Sequence, residues 1–94
     1  MKFRPDTIIK RTETQVSSPF GEEVAILELK HGIYYSLKSV GAFIWDELKT
    51  NKTVAQLSEA IVSGFDVDQS ECSADVQAFL EDLIDHNLIE IVDP

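Results

Sequence analysis

From Glu23 to Leu29 apolar and polar residues alternate, with Val24, Ile26 and Glu28 on one side and Ala25, Leu27 and Leu29 on the other. That period of two predicts a strand. Lys30-His31-Gly32 then supplies a tight turn, with Gly32 where the backbone needs a positive φ, and Ile33 to Leu37 follows as an uncharged, aromatic second arm of a hairpin. Upstream, Glu13 to Ser18 reads as a first strand closed by the turn signal Ser18-Pro19-Phe20-Gly21. Residues 1–12 are mostly polar and lack periodicity, which predicts a flexible N-terminal arm.

After Leu37 the period becomes helical. Ser39 is an expected N-cap, and Val40, Phe43, Ile44 and Leu48 share one face, flanked by Trp45. Thr53-Val54-Ala55-Gln56 fits a capping box, Val54, Leu57 and Ile61 form the next stripe, and Gly64 is a stop. Asp68 or Ser70 is expected to cap a third helix, whose stripe is Val76, Phe79, Leu80, Leu83 and Ile84 and which ends at His86-Asn87. Leu88 to Val92 is apolar and extended, a last strand packing back on the fold. The expected class is therefore α+β: a three-stranded antiparallel sheet followed by three α-helices, resembling a winged helix-turn-helix, with residues 13–94 forming one domain.

Charge sharpens this picture. The net charge is −9, yet all eight Lys and Arg lie at or before Lys52, and from Thr53 onward there are ten acids and no base. The acidic half is a poor match for a nucleic-acid backbone, whose recognition needs Lys and Arg. If the third helix were a recognition helix, Asp75, Glu81, Asp82 and Asp85 would face phosphates. A lone cysteine, Cys72, excludes an internal disulfide and fits a reducing, cytoplasmic setting. No stretch has the ~18 apolar residues of a membrane span, and no secretory signal opens the chain.

Catalytic chemistry is thin. Cys72 sits near a helix start but beside Glu71 and Asp75, which oppose thiolate formation. His31 and His86 are far apart in sequence without ligand spacing, and no glycine-rich phosphate loop is present. The expectation is a protein that is not an enzyme and takes neither metal nor cofactor. What remains is a peptide-binding module: Ile33, Tyr34, Tyr35, Ser36 and Leu37 offer main-chain donors and acceptors, and the third helix offers an apolar stripe with acidic flanks. Together they suit an extended peptide added as a further strand.

The ordered set Gly32-Ile33-Tyr34-Tyr35-Ser36-Leu37, Val40-Gly41-Ala42-Phe43-Ile44-Trp45, Thr53-Val54 with Leu57, Asp75-Val76 with Phe79-Leu80, and Leu83 with Leu88-Ile89 resembles the PqqD-like proteins. The likeness runs from about Thr14 to Ile91, with Asn87 standing where the family often has glycine. The resemblance implies a recognition element for ribosomally made, post-translationally modified peptides, which binds a precursor's leader segment and presents it to a modifying enzyme or leader peptidase. On this sequence the groove would be Ile33, Tyr34, Tyr35, Ser36 and Leu37 on one side and Asp75, Val76, Phe79, Asp82 and Leu83 on the other. The wording Tyr-Tyr-Ser-Leu and Phe-Ile-Trp-Asp-Glu-Leu resembles members of lasso-peptide pathways, with a radical-enzyme pathway (pyrroloquinoline quinone or sactipeptide) as the alternative and a DNA-binding regulator behind both; a monomer is expected.

Overall fold

The computed structural model describes residues 3–65 and 68–92. Four strands precede the first helix: β1 (Ile8–Arg11), β2 (Gln15–Phe20), β3 (Glu23–Glu28) and β4 (Ile33–Lys38). Helix α1 (Val40–Glu47), the two-residue strand β5 (Lys52–Thr53), helices α2 (Val54–Gly64) and α3 (Gln69–Asp85) and strand β6 (Ile89–Val92) complete the order. The class is α+β. One three-stranded antiparallel sheet runs β2-β3-β4, and a second runs β5-β1-β6.

The second sheet corrects the expectation of an unpatterned arm followed by strands and then helices. Residues 1 and 2 of that arm lie outside the described residues, but Phe3 is 5% exposed and Ile9 is fully buried. Strand β1 pairs with β6 in the register Ile8↔Val92 to Arg11↔Ile89, and with β5 at Ile8↔Thr53. It has four residues and pairs with segments more than 40 positions away, so no local period announces it.

A second correction concerns Pro19. The expected turn at Ser18–Gly21 is shifted: β2 continues through Pro19 and Phe20, and the hairpin closes at Gly21-Glu22, with Phe20 paired to Glu23 and Gly21 at φ 65°. Proline is tolerated there because β2 is an edge strand, where its missing N–H breaks no ladder bond. The β3–β4 turn falls as expected, with Gly32 at φ 67°.

Alternation sorts the sheet into two faces. Val24 and Ile26 point into the core together with Glu28, and all three are buried. They meet Ile44, Trp45 and Leu48 of the α1 region, Leu57 and Ile61 of α2, and Leu80 and Leu83 of α3, with Leu88 and Ile89 closing the far side. The carboxylate of Glu28 accepts the Lys30 N–H and the His31 N–H, the latter at 3.2 Å, and lies 2.7 Å from His31 Nδ1. It thereby ties the loop that launches β4. Burial pushes this carboxyl up, but the His31 ring, the two backbone N–H groups and the His31 charge outweigh it, so its pKa lies below the ordinary value.

Both ends of α2 and the end of α3 follow the sequence, and the start of α1 does not. Thr53 and Gln56 form a reciprocal capping box, at 3.1 Å for Gln56 N–H to Thr53 Oγ1 and 2.8 Å for Thr53 N–H to Gln56 Oε1. Helix α2 stops at Gly64. Asp68 directly precedes α3, and its carbonyl accepts the Cys72 N–H at 2.9 Å; the side chains of Ser70 and Glu71 lie outside the described residues. At the other end Asn87 takes φ 63°, and the bonds Leu88 N–H to Leu83 C=O and Asn87 N–H to Ile84 C=O, each 3.0 Å, make a Schellman closure. Ser39 is the exception: it sits at φ 57°, ψ −129° and makes no side-chain cap bond. The chain passes from β4 into α1 with no linker, and this one residue absorbs the change of direction.

Trp45 joins the parts. Its Nε1–H donates to Ser17 Oγ at 3.0 Å, the Arg11 guanidinium lies 4.4 Å over its ring, and Arg11 Nη2 donates to its carbonyl. The core therefore fixes both sheets against α1, and β4 is left at an edge.

Candidate functional site

Strand β4 bonds to β3 on one side and, among the described residues, has no strand on the other. Which of its backbone groups are open follows from register. Leu29 N–H bonds to Thr14 C=O at 2.9 Å, and the two-residue turn at Gly21-Glu22 makes Phe20 and Glu23 a bonded pair. Glu23, Ala25, Leu27 and Leu29 therefore turn their backbone groups to β2, and by alternation Val24, Ile26 and Glu28 turn theirs to β4. Their partners Leu37, Tyr35 and Ile33 are thus satisfied. The N–H and C=O groups of Tyr34, Ser36 and Lys38 face outward.

Side chains obey the opposite alternation. Tyr35 and Leu37 lie on the core side with Ile26 and Val24, while Tyr34, 73% exposed, and Ser36 point to the outer face of the sheet. The Tyr35 ring meets His86 edge-on, with centroids 4.9 Å apart, and His86 Nδ1 lies 2.7 Å from the Asp82 carbonyl. Leu37 and Phe79 both approach Gly41 in the first turn of α1: a β-carbon there would stand 3.3 Å from Phe79 Cζ and 3.7 Å from Leu37 Cβ. A groove thus runs between the β4 edge and α3, with Tyr35 and His86 at one end and Leu37 and Phe79 at the other.

Beyond Phe79 the groove opens into a cavity of about 250 Å³ between the helices, walled by Val40, Gly41 and Ile44 of α1, Ile61 of α2, and Cys72, Asp75, Val76 and Phe79 of α3. Its walls are apolar apart from Asp75, which is exposed. Burial, helped by the Asp75 charge, pushes the Cys72 thiol up, away from the thiolate a nucleophile needs. Among the described residues no group of three His, Cys, Asp or Glu side chains is placed to hold a metal ion. None of their helices is long and apolar enough to cross a membrane.

The residues expected from sequence therefore divide. Tyr35, Leu37, Phe79, Asp75 and Asp82 border the groove or its cavity, and Tyr34 and Ser36 contribute backbone while their side chains face away. Ile33 lies on the core side of the strand start but is 45% exposed. Val76 and Leu83 are 2% and 3% exposed, so they support the groove from the core, Val76 also touching the cavity. Sequence reasoning missed His86 and Gly41. His86 lies seven residues after Phe79, which carries it, just past the end of α3, onto the line of the Phe79 face; reading it as a helix end and weighing it as a metal ligand hid that spacing.

The chain matches the family model described as coenzyme PQQ synthesis protein D (PqqD) over residues 23–89. Two solved structures are similar to it. TbiB1 in complex with the TbiA(beta) leader peptide superposes with a TM-score of 0.84 at 30% identity, covering 90% of this chain and 99% of that one. A lasso peptide synthetase B1 complexed with the leader peptide gives a TM-score of 0.78 at 16% identity, covering 87% of this chain and 96% of that one, and supports the fold alone. No curated protein sequence matches. The family match runs from the start of β3 to the first residue of β6, most of the chain, and the chain is a member of the PqqD family.

Proposed function

We propose that this protein binds the leader segment of a ribosomally made precursor peptide and presents it to a modifying enzyme or leader peptidase in lasso-peptide biosynthesis, making no covalent bond itself. One observation carries the reading. Among the described residues no strand covers the β4 edge, whose outward N–H and C=O groups lie beside an apolar groove floored by Leu37 and Phe79. A leader strand laid antiparallel on β4 takes its affinity from Tyr34, Ser36 and Lys38 main chain, and its alternate side chains enter the groove between Tyr35, Leu37, Phe79 and His86. Asp75 and Asp82 offer acids to basic leader residues; these pairs are exposed and worth at most about 1 kcal/mol each, so they set register more than affinity.

The resemblance at 30% identity to a structure in complex with a leader peptide supports the leader-binding reading. The sheet and three helices are read as a winged helix-turn-helix turned to peptide recognition. Acidic Asp75, Glu81, Asp82 and Asp85 on α3 oppose the DNA-binding reading.

Titrating the precursor's leader while following amide hydrogen exchange tests the proposal. Saturable one-to-one binding should newly protect the amides of Tyr34, Ser36 and Lys38, those of Tyr35 and Leu37 being bonded already. Absence of binding, or protection confined to α3, would refute strand addition.

A further inference from the structure

Helix α1 separates two hollows. Val40, Gly41 and Ile44 wall the cavity shared with α3, while Ala42 and Phe43 line a second groove of about 1160 Å³ beneath the tip of the β2–β3 hairpin. Phe20 and Val24 line this groove from the hairpin, and Phe65 lines it from the end of α2. Phe20 is 76% exposed. The Phe43 and Phe65 rings meet edge-on with centroids 5.2 Å apart, and both are only partly buried.

Size and charge narrow what can sit there. The volume exceeds the roughly 300–1,000 Å³ of a small-molecule site, so the groove suits a peptide segment. Its lining carries three bases, Arg11, Lys38 and Lys49, and three acids, Glu22, Glu23 and Asp46, hence no net charge in a chain of net charge −9. Lys49 and Asp46 already pair at 3.3 Å. An uncharged segment bearing a bulky apolar side chain matches this lining, and a phosphate or a strongly charged tail does not.

We propose that the groove receives the part of the precursor that lies N-terminal to the β4-bound strand, seating an aromatic or large aliphatic side chain among Phe20, Phe43 and Phe65. This rests on the strand-addition reading above. Strand β4 runs from Ile33 to Lys38, so an antiparallel leader has its N-terminal end at Lys38. Lys38 turns its N–H and C=O toward the leader and also lines the groove, which makes the two surfaces continuous. The registers Phe20↔Glu23 and Glu23↔Lys38 set the hairpin tip at that same end of the sheet. From the leader's line to β2 is three strand spacings, about 14 Å, which about four or five extended residues cover. A ring arriving there adds an edge-to-face contact to the Phe43–Phe65 pair. The leader is thereby held at two places, by main chain on β4 and by a side chain upstream of it.

The test shortens the precursor's leader one residue at a time from its N-terminus and measures the affinity of each peptide for the full chain. On the wild type, affinity should fall in two separate steps: about tenfold when the groove segment is lost, then to no measurable binding when the strand is lost. Phe20→Ser removes an exposed ring, and Ala42→Gln fills the groove from α1 with a good helix former. Each variant should abolish the first step and leave the second. A wild type that shows only the second step, or a first step that survives in either variant, overturns the proposal. A wild-type dimer that dissociates in Phe20→Ser overturns it in favour of a second copy in the groove. Failure of the complete leader to bind the wild type instead refutes the strand-addition reading itself.

Discussion

The ring of Phe79 occupies the space beside Gly41 that a side chain would contest, its Cζ 3.3 Å from where a β-carbon would stand. The glycine is not there for its backbone freedom, since it sits in α1 at an ordinary negative φ. It is there so that an α3 ring can lie against α1 next to β4. Gly41→Ala gains about 0.5–1 kcal/mol of helix propensity. The partly buried Phe79 ring yields by a few tenths of an ångström toward the groove. The expected result is an unchanged or slightly raised melting temperature with leader affinity reduced several-fold, read by thermal denaturation and anisotropy on one sample.

Phe79→Ala and Leu80→Ala should dissociate stability from recognition. Leu80 is fully buried, and its truncation should cost about 2–5 kcal/mol while the folded fraction binds leader normally. Phe79 is only partly buried against the core, so its loss should cost about 1–2 kcal/mol and weaken leader binding about tenfold. Equal affinities for the two variants in chemical denaturation and titration would return Phe79 to a purely structural role.

Proline placed along the leader should abolish binding only at every second position. The sensitive positions are those opposite Tyr34, Ser36 and Lys38, where a leader N–H must reach a β4 carbonyl. Positions opposite Tyr35 and Leu37 should tolerate the lost donor and respond instead to side-chain size. A leader that tolerates proline everywhere would contradict strand addition.

The Glu28 carboxylate gives the β3–β4 loop a pH dependence. Its folded pKa lies below the usual 4.5, so the unfolded chain takes up the proton first as pH falls. The stabilisation is complete above about pH 5 and is lost as the pH drops through the folded value. Glu28→Gln should therefore be less stable than wild type at pH 7, and the gap should close as the pH falls through the folded pKa of Glu28, as measured by urea denaturation across the acid range.

Two residues at positive φ predict opposite changes. Ser39, at φ 57° and ψ −129°, is in a region that suits glycine, so Ser39→Gly should stabilise by about 1 kcal/mol. Asn87 at φ 63° already tolerates the left-handed region, and Asn87→Ala should lose about 1 kcal/mol by straining the closure of α3. Thermal melts of the two variants moving in the same direction would contradict this.

Local chemistry made much of this legible in the sequence. The alternation of Val24, Ile26 and Glu28, the Thr53–Gln56 box, and the tolerance of Asn87 for its backbone angle each depend on a few neighbouring residues. Strand β1 was not legible because Ile8 and Ile9 gain their partners from β5 and β6, which only the folded chain brings near. Pro19 read as a turn because the sequence does not show which strand ends up at an edge. The groove's apolar floor was visible in the Phe79 stripe, but Val76 and Leu83 could not be told from wall residues until α2 and the first sheet covered them. Two-sidedness was the subtlest loss: Ile33 to Leu37 reads as one uniform strand, whereas register assigns main chain to Tyr34 and Ser36 and side chains to Tyr35 and Leu37.

Pro19 has a consequence for contacts between copies of the chain. By the same alternation that opens Tyr34 and Ser36, the backbone of Pro19 faces the free side of β2, where it offers a carbonyl but no donor. A β4-to-β2 joint between copies of the chain would therefore lack a donor at Pro19, although Gln15 and Ser17 keep theirs. A leader laid on β4 would occupy the other edge that such a joint needs, so loading and edge-to-edge stacking compete for the same strand.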